Sequence, residues 1–289
     1  MKVAVVTDAN SSLTRKTAKE CGVYFMDMPV IIDGENYIQD ENLTSEMFYG
    51  ALADNRDVTT SQPSPGNIMD LWDRIFADGN DQIVYIPMSS GLSEACNTAR
   101  MLAADYEGKV EVVDNHRISG TQTQAAFDAM EMAKAGYDAA YIKRRLEEAA
   151  YDQSIYIAVD TLEYLKKGGR VTPAGAALGT ALGIKPVLTI QGGKLDAFAK
   201  VRGIKKCESK IIAAMKNDIA TRFKDYDKSE LMLFAAGTLQ SDEDCNRWRD
   251  DIRKEFPDFD VEYYPLSLSI GAHIGPGSIA IGIAVKVNK

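Results

Sequence analysis

Few residues in this chain have the types and spacing to do chemistry, and most of those are hydroxyls. One group is the turn Thr59-Thr60-Ser61-Gln62-Pro63-Ser64. It lies between two helix-like blocks, and Ser64-Pro65 has the form of an N-cap followed by proline at the first helical position. A second group, Ser89-Ser90-Gly91-Leu92-Ser93, directly follows the apolar run QIVYIP at 82–87 and opens the next helical block. In an open parallel sheet, ligands bind beyond the carboxyl ends of the strands. A helix N-terminus there offers unpaired N–H groups and a positive partial charge, and Ser and Thr add neutral donors. This chemistry is recognition of a small anion, a carboxylate or a phosphate. The same hydroxyls are also ordinary helix caps, and residue type alone leaves both readings open.

Catalytic constellations are missing from the sequence. There is no GxSxG elbow, no GxxxxGK[ST] loop and no HExxH. GPGSIA at 275–280 fits GxGxxA, but only 9 residues follow Ala280 and they read as a strand, so a dinucleotide site has no helix to open. The two histidines, His116 and His273, are too few for a histidine-rich metal site. The cysteines Cys21, Cys96, Cys207 and Cys245 form no CxxC, and reduced thiols in a cytoplasm are the simplest expectation. A serine-dependent acyl hydrolase would need Ser61 or Ser93 as nucleophile and His273 as base, with no visible acid to orient the base. Arg202 ends a hairpin strand and His273 lies in a glycine-flanked segment. Both can reach an interdomain cleft, and both can equally be a solvated charge and a loop histidine.

These residues need elements to hold them. The chain has 289 residues, 45% hydrophobic and 26% charged, as expected of a globular protein of one large or two ordinary domains. Its formal charge of −9 makes nucleic acid and anionic membrane surfaces poor partners. No apolar stretch approaches the ~20 residues of a membrane helix, and the start MKVAVVTDAN is too short for a signal peptide. Apolar runs at 2–7, 82–87 and 109–114 alternate with helical blocks at 12–21, 44–54, 64–76, 92–106, 119–134 and 139–150, and 23–32 is extended around Pro29. Repeated strand–helix units predict a mostly parallel sheet covered on both faces. The second half reads as strands at 155–160, 230–236, 260–265 and 278–287, a hairpin around Gly192-Gly193, and amphipathic helices at 204–223 and 241–256. A short helix at 161–167 ends at Gly168-Gly169, and Thr172-Pro173 starts the small-residue stretch AGAALGTALGI at 174–184. The expected architecture is α/β with two domains, 1–154 and 155–289, the first mostly parallel and the second with a mixed sheet. A ligand is expected between them.

The sequence resembles the DegV family of bacterial fatty-acid-binding proteins nearly end to end. The resemblance rests on the first strand with Thr7-Asp8, TSQPSP at 60–65, SSGLS at 89–93, LEYLKKGGRV at 162–171, LGIKPVLTIQGGKL at 182–195, VRGIKK at 201–206 and GAHIGPGSIAIG at 271–282. It implies a two-domain protein that holds one long-chain fatty acid, palmitate-like, with no other cofactor and no metal. The carboxylate would lie between the domains, held by Thr60 or Ser61, by Ser93 and by Ser90. Arg202 and His273 would stand near the head group and serve transfer. The resemblance also implies a partner, a separate fatty acid kinase that turns the presented carboxylate into an acyl phosphate. This chain would then be no enzyme itself but a lipid-binding subunit without stable membrane insertion. A scaffold or regulator with a structural lipid is the other non-enzymatic reading.

Two stretches depart from the family pattern. After SSGLS the family usually continues Gly-Thr-Tyr, where this chain has Glu94, Ala95 and Cys96. A carboxylate at Glu94 would repel an anionic ligand if it pointed inward, or favour the helix's first turn if it pointed out. VVDNHRISGTQ at 112–122, with His116, also differs from the family's Asp-Ser and Gly-x-Gly pattern.

Overall fold

The apolar run that opens the chain forms strand β1 (Val3–Asp8), buried along nearly its whole length. The computed structural model describes residues 1–178 and 184–287. Helix α1 (Arg15–Cys21) starts on a Thr14 cap and stops at Gly22, whose φ of 77° needs no Cβ. Strand β2 (Tyr24–Met26) follows. The single extended segment expected at 23–32 is in fact two, because Pro29 has no N–H to continue a ladder. After it, β3 (Val30–Ile32), β4 (Glu35–Tyr37) and, beyond helix α2 (Ser45–Ala53), β5 (Val58–Thr60) form a separate antiparallel sheet in the order β4-β3-β5. Thr59 and Thr60 therefore end a strand.

Helix α3 (Pro65–Ala77) begins on Ser64, whose side chain accepts from the Asn67 N–H. Strand β6 (Gln82–Ile86), helix α4 (Ala95–Ala103), strand β7 (Val110–Val112) and helices α5 (Gly120–Lys134) and α6 (Ala139–Glu148) complete the first half. The sheet β2-β1-β6-β7 is parallel throughout. Alternate residues of its central strands face opposite ways. Val5, Val84 and Ile86 pack with Ala125, Ala129, Ile142 and Leu146 of α5 and α6. Val6, Ile83 and Tyr85 pack with Ile68, Trp72, Cys96 and Ala99 of α3 and α4.

Strand β8 (Gln153–Ala158) opens the second half. Helix α7 (Glu163–Gly168) is closed by Gly169, and helix α8 (Pro173–Ala176) is started by Thr172. Residues 179–183 of the expected small-residue helix lie outside the described residues. Strands β9 (Ile184–Ile190) and β10 (Asp196–Arg202), helix α9 (Ile204–Thr221), strand β11 (Leu231–Gly237), helix α10 (Asp242–Glu255), strand β12 (Glu262–Pro265), helix α11 (Leu268–Ile274) and strand β13 (Ile279–Val285) follow. Their sheet runs β10-β9-β8-β13-β11-β12, with only β11 and β12 parallel.

Both faces of this sheet are apolar. Tyr156, Val187, Leu233, Ile281 and Ile283 pack under α9 and α10 with Ile211, Met215, Trp248 and Ile252. Ile155, Ile157, Leu188, Ile190, Phe234, Ala236 and Ala280 form the opposite face, with Leu92 and Ile118 brought to it from the first half. The halves meet tightly around this second face. Ser89 Oγ donates to the Gly192 carbonyl at 2.6 Å. Gly91 sits so close to the hairpin turn that a Cβ would fall 2.8 Å from Gly193 Cα. The chain end returns to the first half, where the Val287 N–H donates to Asp128 Oδ2 at 2.9 Å.

Candidate functional site

Between the second face of the mixed sheet and the hydroxyl turns lies a cavity of about 870 Å³, counting the part open to solvent. Ile155 and Ile157 of β8, Ile190 of β9, Phe234 and Ala236 of β11, and Ala280 of β13 form its apolar wall. Leu92, Ile118, Leu165, Leu195, Leu266 and the methionines Met28 and Met88 close it. Thr60, Ser61, Gln62, Ser93, Asn10, Ser119, Ser269, Arg170 and His273 are the polar groups on its lining.

Thr60 ends β5 and reaches the last turn of α11, where its Oγ1 lies 2.8 Å from His273 Nε2. His273 belongs to a helix, not to the glycine-rich loop its neighbours suggest. The helix begins on Ser267, whose hydroxyl accepts from the Ile270 N–H. Its ring is packed against Gly168 so closely that any Cβ there would overlap Nδ1. Burial first, and then the nearby Arg170 guanidinium, hold its pKa down at about 4. His273 is thus a neutral imidazole at pH 7.

Arg170 follows the Gly169 that ends α7. Its Nε donates to the Leu92 carbonyl at 3.1 Å and an Nη donates to the Gly168 carbonyl, so it joins the SSGLS turn to α7. Ser61 is placed by its N–H, which donates to the Pro29 carbonyl at 3.2 Å, and its hydroxyl donates to the Gln62 carbonyl. Ser93 Oγ accepts the Ala95 N–H at 3.2 Å and keeps its own proton to donate.

A buried polar layer supports the lining. Asn10 Oδ1 accepts from Ser267 Oγ at 3.0 Å and from Ser269 Oγ at 2.5 Å, tying the end of β1 to α11. Asp8 accepts from the N–H groups of Asn10 and Met88 and from Gln122 Nε2. Burial raises its pKa to about 6 against the lowering effect of those bonds.

The structure brings Thr60, Ser61, Ser93 and His273 to one cavity. It does not bring Ser90 or Arg202 to the lining. The Ser90 N–H is turned to Asp114 Oδ1 at 3.2 Å. Arg202 is exposed at the end of β10, the edge strand, which is separated by β9 from the strands that build most of the wall. The guanidinium on the lining is Arg170, within the LEYLKKGGRV segment but hidden by the lysine run before it. Asn10, Ser119 and Ser269 also escaped the residue-type reading. The Ser267/Ser269 alternation ahead of Gly271 is an N-cap signal that could have marked α11. Glu94 points outward, where its Oε2 accepts from Asn97 Nδ2 at 2.9 Å, so it adds no charge to the cavity. His116 stacks on Tyr151 with ring centroids 5.2 Å apart and is also off the lining. Among the described residues no group of His, Cys, Asp and Glu could hold a metal ion, and no helix is long and apolar enough to cross a membrane.

Comparison with known proteins agrees with this fold. A DegV domain-containing protein of Streptomyces coelicolor is 30% identical over 285 residues, covering 98% of this chain and 99% of that one. Another from Listeria innocua is 29% identical over 287 residues, 99% of each chain. The solved DegV family protein from Thermus thermophilus, described by its fatty acid binding, superposes with a TM-score of 0.85 at 26% identity, over 99% of this chain and 100% of that one. The fatty acid binding DegV family protein of Streptococcus agalactiae gives a TM-score of 0.85 at 26% identity, over 99% of each chain. The family model described as uncharacterised protein, DegV family, matches residues 2–286, and the chain belongs to the DegV family.

Proposed function

We propose that this protein binds one long-chain fatty acid between units 1–154 and 155–289 and presents its carboxylate to a separate fatty acid kinase. The observation that carries the reading is the cavity itself, an apolar sheet face closed over by hydroxyls, a neutral imidazole and one guanidinium. Its fatty-acid-binding relatives support the lipid-binding part of this reading. Thr60 and Ser93 donate to the carboxylate, and Ser61 joins them when its hydroxyl turns from the Gln62 carbonyl. His273, as the Nε2–H tautomer, donates to Thr60 Oγ1 and frees the Thr60 proton for the ligand. Arg170 supplies the positive charge nearby. In this reading Ser90 shapes the turn, and Arg202 takes no part in holding the head group.

The tail is the larger source of affinity. Each buried methylene contributes about 0.8 kcal/mol, so a 16-carbon chain releases on the order of 12 kcal/mol before ordering costs. The head-group contacts then select an acid over other tails of equal length. The phosphoryl chemistry belongs to the ATP-using partner, which places the pair in the cytoplasm. A hydrolase is disfavoured by the geometry. His273 bonds to Thr60 rather than to Ser61 or Ser93, and the charged group beside it is Arg170, which opposes the imidazolium a general base must become.

The test has two arms. Displacement of a fluorescent acyl probe should rank hexadecanoic acid above hexadecanol and hexadecylamine, and equal affinity for all three would leave only an unselective greasy cavity. Loaded protein mixed with a fatty acid kinase and ATP should yield acyl phosphate. Binding without turnover would remove the presenting role and keep the lipid-binding one.

A further inference from the structure

The sheet face of the cavity ends in a row that carries one aromatic ring, Phe234, beside Ile155 and Ile190. Strand pairing sets Ala236, Ala280 and Ile157 in one row across the cavity face, and Phe234, Gly282 and Ile155 in the next. The third row, Met232, Ala284 and Gln153, contributes nothing to the lining. The head-group end lies on the other side of the first row. There Thr238, just past β11, donates from Oγ1 to the Gly275 carbonyl at 2.7 Å, directly after the helix that carries His273. Rows two residues apart stand roughly 7 Å apart along the strands.

Phe234 is fully buried and lines the cavity. Its ring lies over Gly282 on the adjacent strand, where any Cβ would overlap it, and against Gly120 at the start of α5, where a Cβ would come within 2.9 Å. Tyr264 holds its outer edge in a T-shaped contact at 5.5 Å between centroids. Two missing side chains thus make a slot for one aromatic ring at the last row of the cavity.

We propose that Phe234, seated in the Gly282–Gly120 slot, is the stop that sets the length of acyl tail the cavity accepts. The inference rests on the fatty-acid reading given above. It predicts opposite shifts from two substitutions. Phe234→Leu shortens the stop, so the preferred saturated acid becomes longer, with each methylene newly accommodated strengthening binding about fourfold. Gly282→Ala pushes the ring into the cavity, so the preferred acid becomes shorter.

The experiment is probe displacement from the full chain and both variants by saturated acids of 12 to 20 carbons, with thermal melts as a check on folding. Shifts in opposite directions are the expected result. A wild-type length optimum in folded Phe234→Leu overturns the inference, and that variant decides alone if Gly282→Ala does not fold. Failure of every acid to bind the unmodified protein would instead overturn the fatty-acid reading.

Discussion

Thr60 Oγ1 and His273 Nε2 lie 2.8 Å apart although 213 positions separate them in the chain. The contact joins the end of β5 to the last turn of α11. Neither half supplies the polar lining alone, because Thr60, Ser61 and Ser93 come from the first half and His273 and Arg170 from the second.

The hydroxyls should matter to the ligand and little to the fold. Thr60→Ala and Ser93→Ala each remove one donor to a carboxylate, a charge-assisted bond of about 1.5–3 kcal/mol, so palmitate affinity should fall roughly ten- to a hundredfold. Titration calorimetry with melting temperatures measured alongside checks this. Unchanged affinity in both variants would reduce these residues to ordinary strand-end and turn hydroxyls.

Gly168 should be coupled to His273. Gly168 has no forced backbone angle of its own, yet a Cβ there would overlap the imidazole. Gly168→Ala should therefore destabilise the protein by about 1–3 kcal/mol, as overpacking does, and weaken ligand binding. In a His273→Ala background the same change should cost far less stability. A double-mutant cycle by urea unfolding reads the coupling, and additive effects would refute it.

Much of this was legible in the sequence because it is local. Strand–helix alternation, the Ser64-Pro65 and Thr172-Pro173 starts and the Gly192-Gly193 hairpin follow from short-range rules, and the hydroxyl turns stood out by type. What escaped depends on tertiary placement. Arg170 and Arg202 look alike in sequence, but one follows a helix end beside the cavity and the other ends an edge strand in solvent. The small β4-β3-β5 sheet has three-residue strands with too little periodicity to read. Asn10 carries no sign of its partners Ser267 and Ser269, some 260 positions away.

Two buried groups should give pH slopes of opposite sign. His273 has its pKa lowered from 6.5 to about 4, so the unfolded chain binds its proton first and the native state loses stability as pH falls from 7. Between pH 7 and pH 5 His273→Gln should gain about 2 kcal/mol relative to the unsubstituted protein. Asp8 has its pKa raised from 3.8 to about 6, so here the native state binds the proton first and stability is gained over the same range. Asp8→Asn should accordingly lose ground relative to the unsubstituted protein from pH 7 to pH 5. Urea titrations at the two pH values decide both signs.

A cavity that holds a single fatty acid should keep it through purification. Mass spectrometry of the protein purified without added lipid, first in its native state and then after extraction, measures this most directly. The expected result is a native mass raised by one long-chain acid and an extract containing free fatty acid at about one equivalent per chain. An extract of neutral lipids or phospholipids, or a lipid-free protein that also fails to take up palmitate, would contradict it.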